Sequence, residues 1–418
     1  MVKTQARLSH RLSGMSGPRS CVVLLACVGV VLAPGSGSSF SLSVAPRRPS
    51  FAPQQRYPTA RLPDGVAIGD LNGDGRKDLM TASPRPRGTV SVLLNRGRGR
   101  FGTARRYRSG EGADSVAIGD LNGDGKLDLA TADSDGDTVS VLLNRGDGRF
   151  RAHRSYATQS WPWDVAIGDL NGDGSPDLAT ANTNRGYGGR VSSVSVFINK
   201  GDGSFESKVD HRPARRPFSV AIGDLNHDGK RDLVTANGSD SVSVFINSGD
   251  GSFQPRVDYR AGSGPRSIAI ADMNGDRNPD LVTANSNSVE GGGSAKGTLS
   301  VDGVSVLLNK GDGRFRPKLD YRTHEMGFGS VAIGDLNRDG KPDVAIGVDS
   351  DIGTKTVPVL LNSGGGRLKK RIDYRTGPSD SGWGPRSVAI GDLNGDGKLD
   401  LATVKFASVC VLLNTTRG

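Results

Sequence analysis

The sequence predicts an all-β fold: a seven-bladed β-propeller with four antiparallel strands per blade, the last blade closed by a strand from near the N-terminus. Three observations carry this. A stretch best read at Ser387 to Thr403, SVAIGDLNGDGKLDLAT, recurs seven times, its first loop aspartates being Asp70, Asp120, Asp169, Asp224, Asp272, Asp335 and Asp392. Their spacings of 50, 49, 55, 48, 63 and 57 residues are those of a repeated supersecondary unit. With 60 glycines and 5% aromatics, the composition suits short strands and tight turns, and no sustained 3.6-residue apolar period runs through the chain.

Residues 1–39 stand apart. Lys3, Arg7, Arg11 and Arg19 precede an apolar run from Cys21 to Ala33, which gives way to PGSGSS. The run is short for a bilayer span and has the order of a secretory signal peptide, so an extracellular or cell-surface destination is expected. Leu24 to Cys27 also resembles a lipoprotein box, but Cys27 lies in the middle of the run, and lipid anchoring there is a minor alternative. Residues 40–50 read as a flexible lead-in, and 51–418 as the propeller. Removal of the leader leaves Cys410 as the one cysteine, so no internal disulfide can staple the mature chain.

In the second copy, strand one is expected at Val116 to Asp120, strand two at Asp128 to Ala132, strand three at Val139 to Leu143 and strand four from Phe150 to about Tyr156. Asn144 to Arg149 makes a glycine-rich hairpin turn between the last two. A Phe-to-Tyr step of six residues marks strand four in Phe101/Tyr107, Phe150/Tyr156, Phe253/Tyr259 and Phe315/Tyr321. The same step occurs once without a blade, at Phe51/Tyr57, whereas the seventh copy supplies three strands and ends at Asn414. The N-terminal segment is therefore expected to complete the seventh blade and leave no open edge. The one-two and three-four connections are nearly invariant, while the two-three and four-one connections vary, most in the fifth unit near Asn285 to Val304 with Glu290 to Ser294. One face of the disc is repetitive and the other is individual.

The one-two loop, D-x-N-x-D-x-x-x-D, alternates carboxylate and amide oxygens at positions 1, 3, 5 and 9. The candidate metal ligands are Asp70, Asn72, Asp74 and Asp78; Asp120, Asn122, Asp124 and Asp128; Asp169, Asn171, Asp173 and Asp177; Asp224, Asn226, Asp228 and Asp232; Asp272, Asn274, Asp276 and Asp280; Asp335, Asn337, Asp339 and Asp343; and Asp392, Asn394, Asp396 and Asp400. Hard oxygens without His or Cys select Ca²⁺, up to seven ions, one per blade, and a structural role. An EF-hand is excluded, because position 12 is Thr81, Thr131, Thr180, Thr235, Thr283, Ile346 or Thr403 rather than glutamate. Arg277 replaces the sixth-position glycine in the fifth loop, which is expected to be the weakest site.

These words, V-A-I-G-D-L-N-G-D-G-K-x-D-L-A-T-A-N followed by V-S-V-L-L-N-x-G-D-G-x-F, resemble the FG-GAP/VCBS repeats of the integrin α-chain N-terminal propeller and its bacterial relatives. The resemblance covers roughly residues 51–414. It implies seven blades with calcium on the lower face and ligands on the upper. It implies no integrin function, since the chain shows no further ectodomain, transmembrane helix or cytoplasmic tail, and similar repeats occur in adhesins, lectins and polysaccharide lyases.

Charge is segregated. The net charge is +10, falling to +6 without the four leader cations, and 21 of the 44 acidic residues lie in the loops, leaving 23 against 54 Lys and Arg. That division suggests metal at one place and polyanions at another. Trp161, Trp163 and Trp383 fall in four-one connections, with Phe218 and Arg215, Arg216, Arg266 and Arg386 near them. They are candidates for binding an extracellular glycan, including an anionic one, or a protein; the bland alternative is that the rings wedge between blades. No nucleic-acid partner and a monomer are expected. The mature histidines, His153, His211, His227 and His324, lie in different units, and no nucleophile signature accompanies them, so a binding module is expected; a lyase-type polysaccharide-degrading enzyme is the alternative. Arg145-Gly146-Asp147 matches an adhesion tripeptide, but residue 145 is a freely varying turn position. Asn237 and Asn414 open glycosylation sequons that matter only in a eukaryotic host.

Overall fold

The computed structural model describes residues 47–417 except 86, 185–190, 287–302, 324–326, 349–354 and 378–383. The expected leader with its cysteines, most of the lead-in, the Glu290 to Ser294 segment, His324 and Trp383 lie outside the described residues. Among the described residues, no helix is long and apolar enough to cross a membrane.

Seven separate four-stranded antiparallel sheets follow one another. In the second blade the strands are Ala113–Gly119, Asp128–Asp133, Thr138–Leu142 and Arg154–Ala157. Strand one thus starts earlier than its apolar run suggests. Strand four starts later, because Phe150 forms an isolated bridge with Asn144 and the ladder resumes only at Arg154. The first strands pack against one another in succession, and Val388–Gly391 of blade seven packs against Gly65–Gly69 of blade one, so the ring is closed.

The amino-acid pattern explains how blades stack. Strand two is buried on both faces along its whole length, as in Asp128–Asp133. Period-two alternation puts small residues on one face and large ones on the other. Ala130, Ala132, Val139 and Val141 of blade two meet Val165, Leu178, Phe197 and Phe205 of blade three in one apolar layer. Equivalent layers recur around the disc, including Leu79, Leu93 and Phe101 of blade one against Ala402, Val404, Val409 and Val411 of blade seven. The core is the set of layers between blades, so no blade is stable alone.

At the rim the aromatic step works across blades. Tyr57 meets Phe101, Tyr107 meets Phe150 and Tyr156 meets Phe205 edge to face at 5.2–5.3 Å, each tyrosine packing on the phenylalanine of the following blade.

The N-terminal strand closes the seventh blade as expected. Gln55–Pro58 pairs antiparallel with Ser408–Leu412, in the register Gln55↔Val411 and Tyr57↔Val409, and Phe51 bridges Asn414. Cys410 is buried and unpaired. Both sequon asparagines are buried, Asn237 fully and Asn414 at 2% exposure, which leaves no room for a glycan on either.

Candidate functional site

Each one-two loop is folded by its own oxygens. The position-six N–H donates to Oδ2 of the position-one aspartate in all seven copies, as in Gly75 to Asp70 at 2.7 Å and Arg277 to Asp272 at 2.7 Å. The position-three asparagine accepts the position-five N–H, and the position-five carboxylate accepts the position-seven N–H. Positions four and six are left-handed. Glycine fills most of them, but His227 and Arg338 stand at position four with φ of 61° and 63°, and Arg277 at position six with φ of 70°. Arg277 thus takes up the left-handed geometry of the glycine it replaces, and the same demand at position four was not anticipated from the sequence.

The position-nine aspartate faces inward. Asp78, Asp128, Asp177, Asp232, Asp280, Asp343 and Asp400 are fully buried. In each, Oδ2 accepts the N–H of the position-two residue, and Oδ1 accepts the N–H of the asparagine that opens the three-four turn, at 2.6–2.9 Å. Burial pushes these carboxyls up to about 6, and Asp343 to about 7; the accepted N–H bonds pull them back, and the carboxylates at positions five and one push them further up.

The turn asparagine then links blades. Its Nδ2 donates to the position-two carbonyl of the preceding blade: Asn95 to Leu393, Asn144 to Leu71, Asn199 to Leu121, Asn247 to Leu170, Asn309 to Leu225, Asn362 to Met273 and Asn414 to Leu336, all at 2.7–2.8 Å. Seven aspartates and seven asparagines therefore form an unbroken buried belt on the lower face.

The oxygen donors at positions 1, 3 and 5, with a backbone carbonyl at position 7, suit a hard divalent cation. The carboxylates raise one another's affinity for positive charge, and in four loops a side-chain cation at position seven answers it: Arg76 on Asp74, Lys126 on Asp124, Lys341 on Asp339 and Lys398 on Asp396. Among the described residues, no three Asp, Glu, His or Cys side chains form a group able to hold a metal ion. Each position-nine oxygen accepts one N–H in the belt, which leaves this carboxylate one lone pair per oxygen to offer.

On the opposite face the first strands begin around the mouth of the central channel, a cavity of about 230 Å³. Two rings line it. In the deeper ring, Ser115 and Ser219 donate to Asp164 at 2.6 and 2.7 Å, while Ser219, Ser267 and Ser330 accept N–H groups of Ile268, Val331 and Val388 in the following blades. The outer ring does not repeat: its equivalent positions are Asp64, Asp114, Trp163, Phe218, Arg266, Gly329 and Arg386. Arg386 pairs with Asp64 at 2.5 Å, and Asp64 hydrogen-bonds Asp114, whose carboxyl burial and the Asp64 charge push well above the usual range. Across the mouth the Arg266 guanidinium lies over the Phe218 ring at 4.1 Å, and Trp163 meets the same ring edge-on at 5.9 Å.

Of the residues singled out for ligand contact, Trp163, Phe218 and Arg386 come together at this mouth. Phe218 is only 3% exposed, so it acts as the floor under Arg266 rather than as an open platform. Arg216 sits 5.6 Å from the Phe218 ring, Arg215 is exposed, and Trp161 adopts a left-handed φ of 61° beside the rim. Asp64, Asp114 and Asp164 were missed. Alignment of the residues before V-A-I-G would have found them, since only there does the strand change charge from copy to copy.

The FG-GAP-like repeat model matches six times, at residues 70–131, 120–180, 183–235, 224–283, 293–346 and 347–403, well over half of the chain. Among solved structures, BBS1N in complex with ARL6DN is similar at a TM-score of 0.57 and 11% identity, over 88% of this chain and 98% of that one. An Agrocybe aegerita lectin, solved for its recognition of non-reducing terminal N-acetylglucosamine, is similar at 0.53 and 19% identity, over 86% of each chain. No curated protein matches the sequence.

Proposed function

The chain belongs to the FG-GAP-like repeat family, and from that premise we propose that it is an exported, calcium-binding propeller that acts as a ligand-binding module, with the upper-face channel mouth taking a glycan. One observation carries the reading. The V-A-I-G run of strand one is repeated nearly unchanged in every blade, yet the seven outer-ring positions just before it carry two acids, two aromatics, two arginines and a glycine. Scaffold positions repeat because each blade needs them; recognition needs difference.

The size and chemistry of the mouth favour a sugar. At about 230 Å³ it suits one ring rather than a protein element. Trp163 offers an apolar ring, Arg266 and Arg386 offer donors, and Asp64 offers acceptors to hydroxyl groups. Both similar structures have partners, a terminal N-acetylglucosamine for the lectin and a protein for BBS1N. The small mouth argues for the first kind. In the lower loops, Asp70, Asn72 and Asp74 and their counterparts would hold calcium, which when bound neutralises the clustered carboxylates and ties the loop ends together.

A glycan array with and without EDTA tests this, alongside the Trp163→Ala and Arg386→Ala variants. Binding to a defined glycan that both substitutions weaken at least tenfold supports the proposal. Binding unaffected by either substitution, or release of unsaturated sugars from an acidic polysaccharide, overturns it.

A further inference from the structure

Blade one differs from the others along its outer, lower edge. Residues 96–108 read RGRGRFGTARRYR, six arginines in thirteen residues with no acid among them. Arg96, Arg98 and Arg100 lie in the three-four turn, and Arg105, Arg106 and Arg108 on strand four, Arg105–Arg108; all six are exposed. Arg98 stands where blades two to five carry Asp147, Asp202, Asp250 and Asp312. Arg106 stands where blades three to six carry Asp210, Asp258, Asp320 and Asp373.

Elsewhere those aspartates neutralise the rim. Lys208 pairs with Asp210, Arg256 with Asp258, Lys318 with Asp320 and Arg371 with Asp373. In blade one Arg106 instead donates to the Thr59 carbonyl at 2.8 Å, and none of Arg96, Arg98, Arg100, Arg105 and Arg108 forms an ion pair among the described residues. Like charges this dense repel one another, and Arg98 holds a left-handed φ of 56°, a geometry unfavourable to any residue with a Cβ. The fold does not require these residues, because blades two to five close the three-four turn with an aspartate whose Oδ1 accepts the N–H two residues on, whereas blade one closes it with a backbone bond from Arg100 to Gly97.

Against this edge lies a cleft of about 630 Å³, walled by Arg76, Arg96 and Arg105 with Asn72, Asn95 and Thr103. Its one carboxylate, Asp74, is held by Arg76 at 2.5 Å. We propose that this cleft and the arginine edge beside it bind an anionic polysaccharide, the guanidinium forks gripping sulfate or carboxylate groups. A nucleic acid fits less well. The neighbouring rings are committed inward, Phe101 against Tyr57 and Tyr107 against Phe150, so no aromatic platform is open for bases. The site is on the rim of blade one and independent of the channel mouth.

Fluorescence anisotropy with labelled dextran sulfate and labelled polygalacturonate separates sulfate from carboxylate recognition, with labelled single-stranded DNA as competitor class. Arg98→Asp with Arg106→Asp, the residues of blades four and five, is expected to weaken binding at least tenfold. Lys369→Asp with Lys370→Asp, an equal charge change on exposed residues of blade six, is expected to change it less than twofold. Trp163→Ala is expected to leave it unchanged, which separates this site from the mouth. Arg98→Gly provides a variant that relieves the backbone and still loses affinity. Protection of Arg96 and Arg105 from phenylglyoxal by the bound polymer gives a readout on the unaltered chain. Equal losses in the two charge-swap variants, no binding to either polysaccharide, or tighter binding to the DNA would overturn the proposal.

Discussion

Asn95 of the first blade donates from Nδ2 to the carbonyl of Leu393 in the seventh at 2.8 Å, and that bond closes the buried belt of the lower face. The same asparagine donates its N–H to Asp78 and accepts from Gly97, so one side chain ties loop, turn and neighbouring blade together. Replacing it by alanine removes the donor to the partly buried Lys77 carbonyl and strands the buried Leu393 carbonyl, at a cost of about 1–3 kcal/mol. Asn95→Ala and Asn247→Ala are expected to lower the melting temperature by similar amounts with and without EGTA. A deficit that disappears in EGTA would show that the belt depends on bound metal.

Calcium removal should act separately and more strongly. At millimolar calcium and a Kd near 10⁻⁴ M, each occupied loop adds about 1.4 kcal/mol, and seven add roughly 10. Chelation is thus expected to lower the melting temperature sharply, and an unchanged melt in EGTA would rule out structural calcium. Arg277→Gly relieves a left-handed residue worth about 1 kcal/mol even in EGTA. It should give a larger gain in calcium, because it also removes a cation beside Asp272 and Asp276. His227→Gly and Arg338→Gly, at position four, should show the first gain; equal behaviour of all three in calcium would deny that the fifth loop is the weakest.

The repeat made the blade count, the strand order and the ring closure legible, because period-two patterning and a missing fourth strand are local facts. The belt was not legible. Asp128 and Asn144 have counterparts in every copy, but at separations from 14 to 29 residues, and nothing in the pattern announces the bond from Asn144 to Leu71, which joins residues 73 apart. In the same way the pattern gives no sign that the position-nine aspartates are fully buried and accept two N–H groups each. The six-residue step from Phe101 to Tyr107 marks strand four, but gives no sign that Tyr107 packs on Phe150 of the next blade. What sequence periodicity hides in a ring is contact between neighbouring copies, since every copy has the same partner on either side.

Closure by the N-terminal strand makes a further prediction. Deleting residues 47–58 removes the partner of Ser408–Leu412 and exposes an apolar strand edge with unpaired N–H and C=O groups. The truncated chain should melt lower and associate as concentration rises, as sedimentation velocity would reveal. A monomeric variant with an unchanged melt would mean that the seventh blade holds without its fourth strand.

Asp133 provides a pH test independent of the loops. It is buried at the end of strand two, where Thr131 and Thr138 donate to it at 2.7 and 3.2 Å, and burial pushes its carboxyl up to about 7 against those bonds. Blades three, four and five carry Asn182, Asn237 and Asn285 there, each donating to a serine, and Ser195, Ser243 and Ser305 in turn donate to an aspartate on strand four. Blade two has Ser155 in place of that aspartate, so its acid has moved from the rim into the interior. Because the folded carboxyl titrates near 7 and the unfolded one near 3.8, the folded state keeps a proton that the unfolded state has released. Stability therefore falls as pH rises from about 4 to about 7, and the loss is complete above that. Asp133→Asn should match the parent in urea melts near pH 4 and exceed it at pH 8 by at most about 4 kcal/mol, at 1.36 kcal/mol for each pKa unit. Taking the difference between the two proteins cancels the loop carboxylates, which titrate alike in both. The same difference at both pH values would mean that Asp133 is ionised throughout and that its donors, not a retained proton, offset its burial.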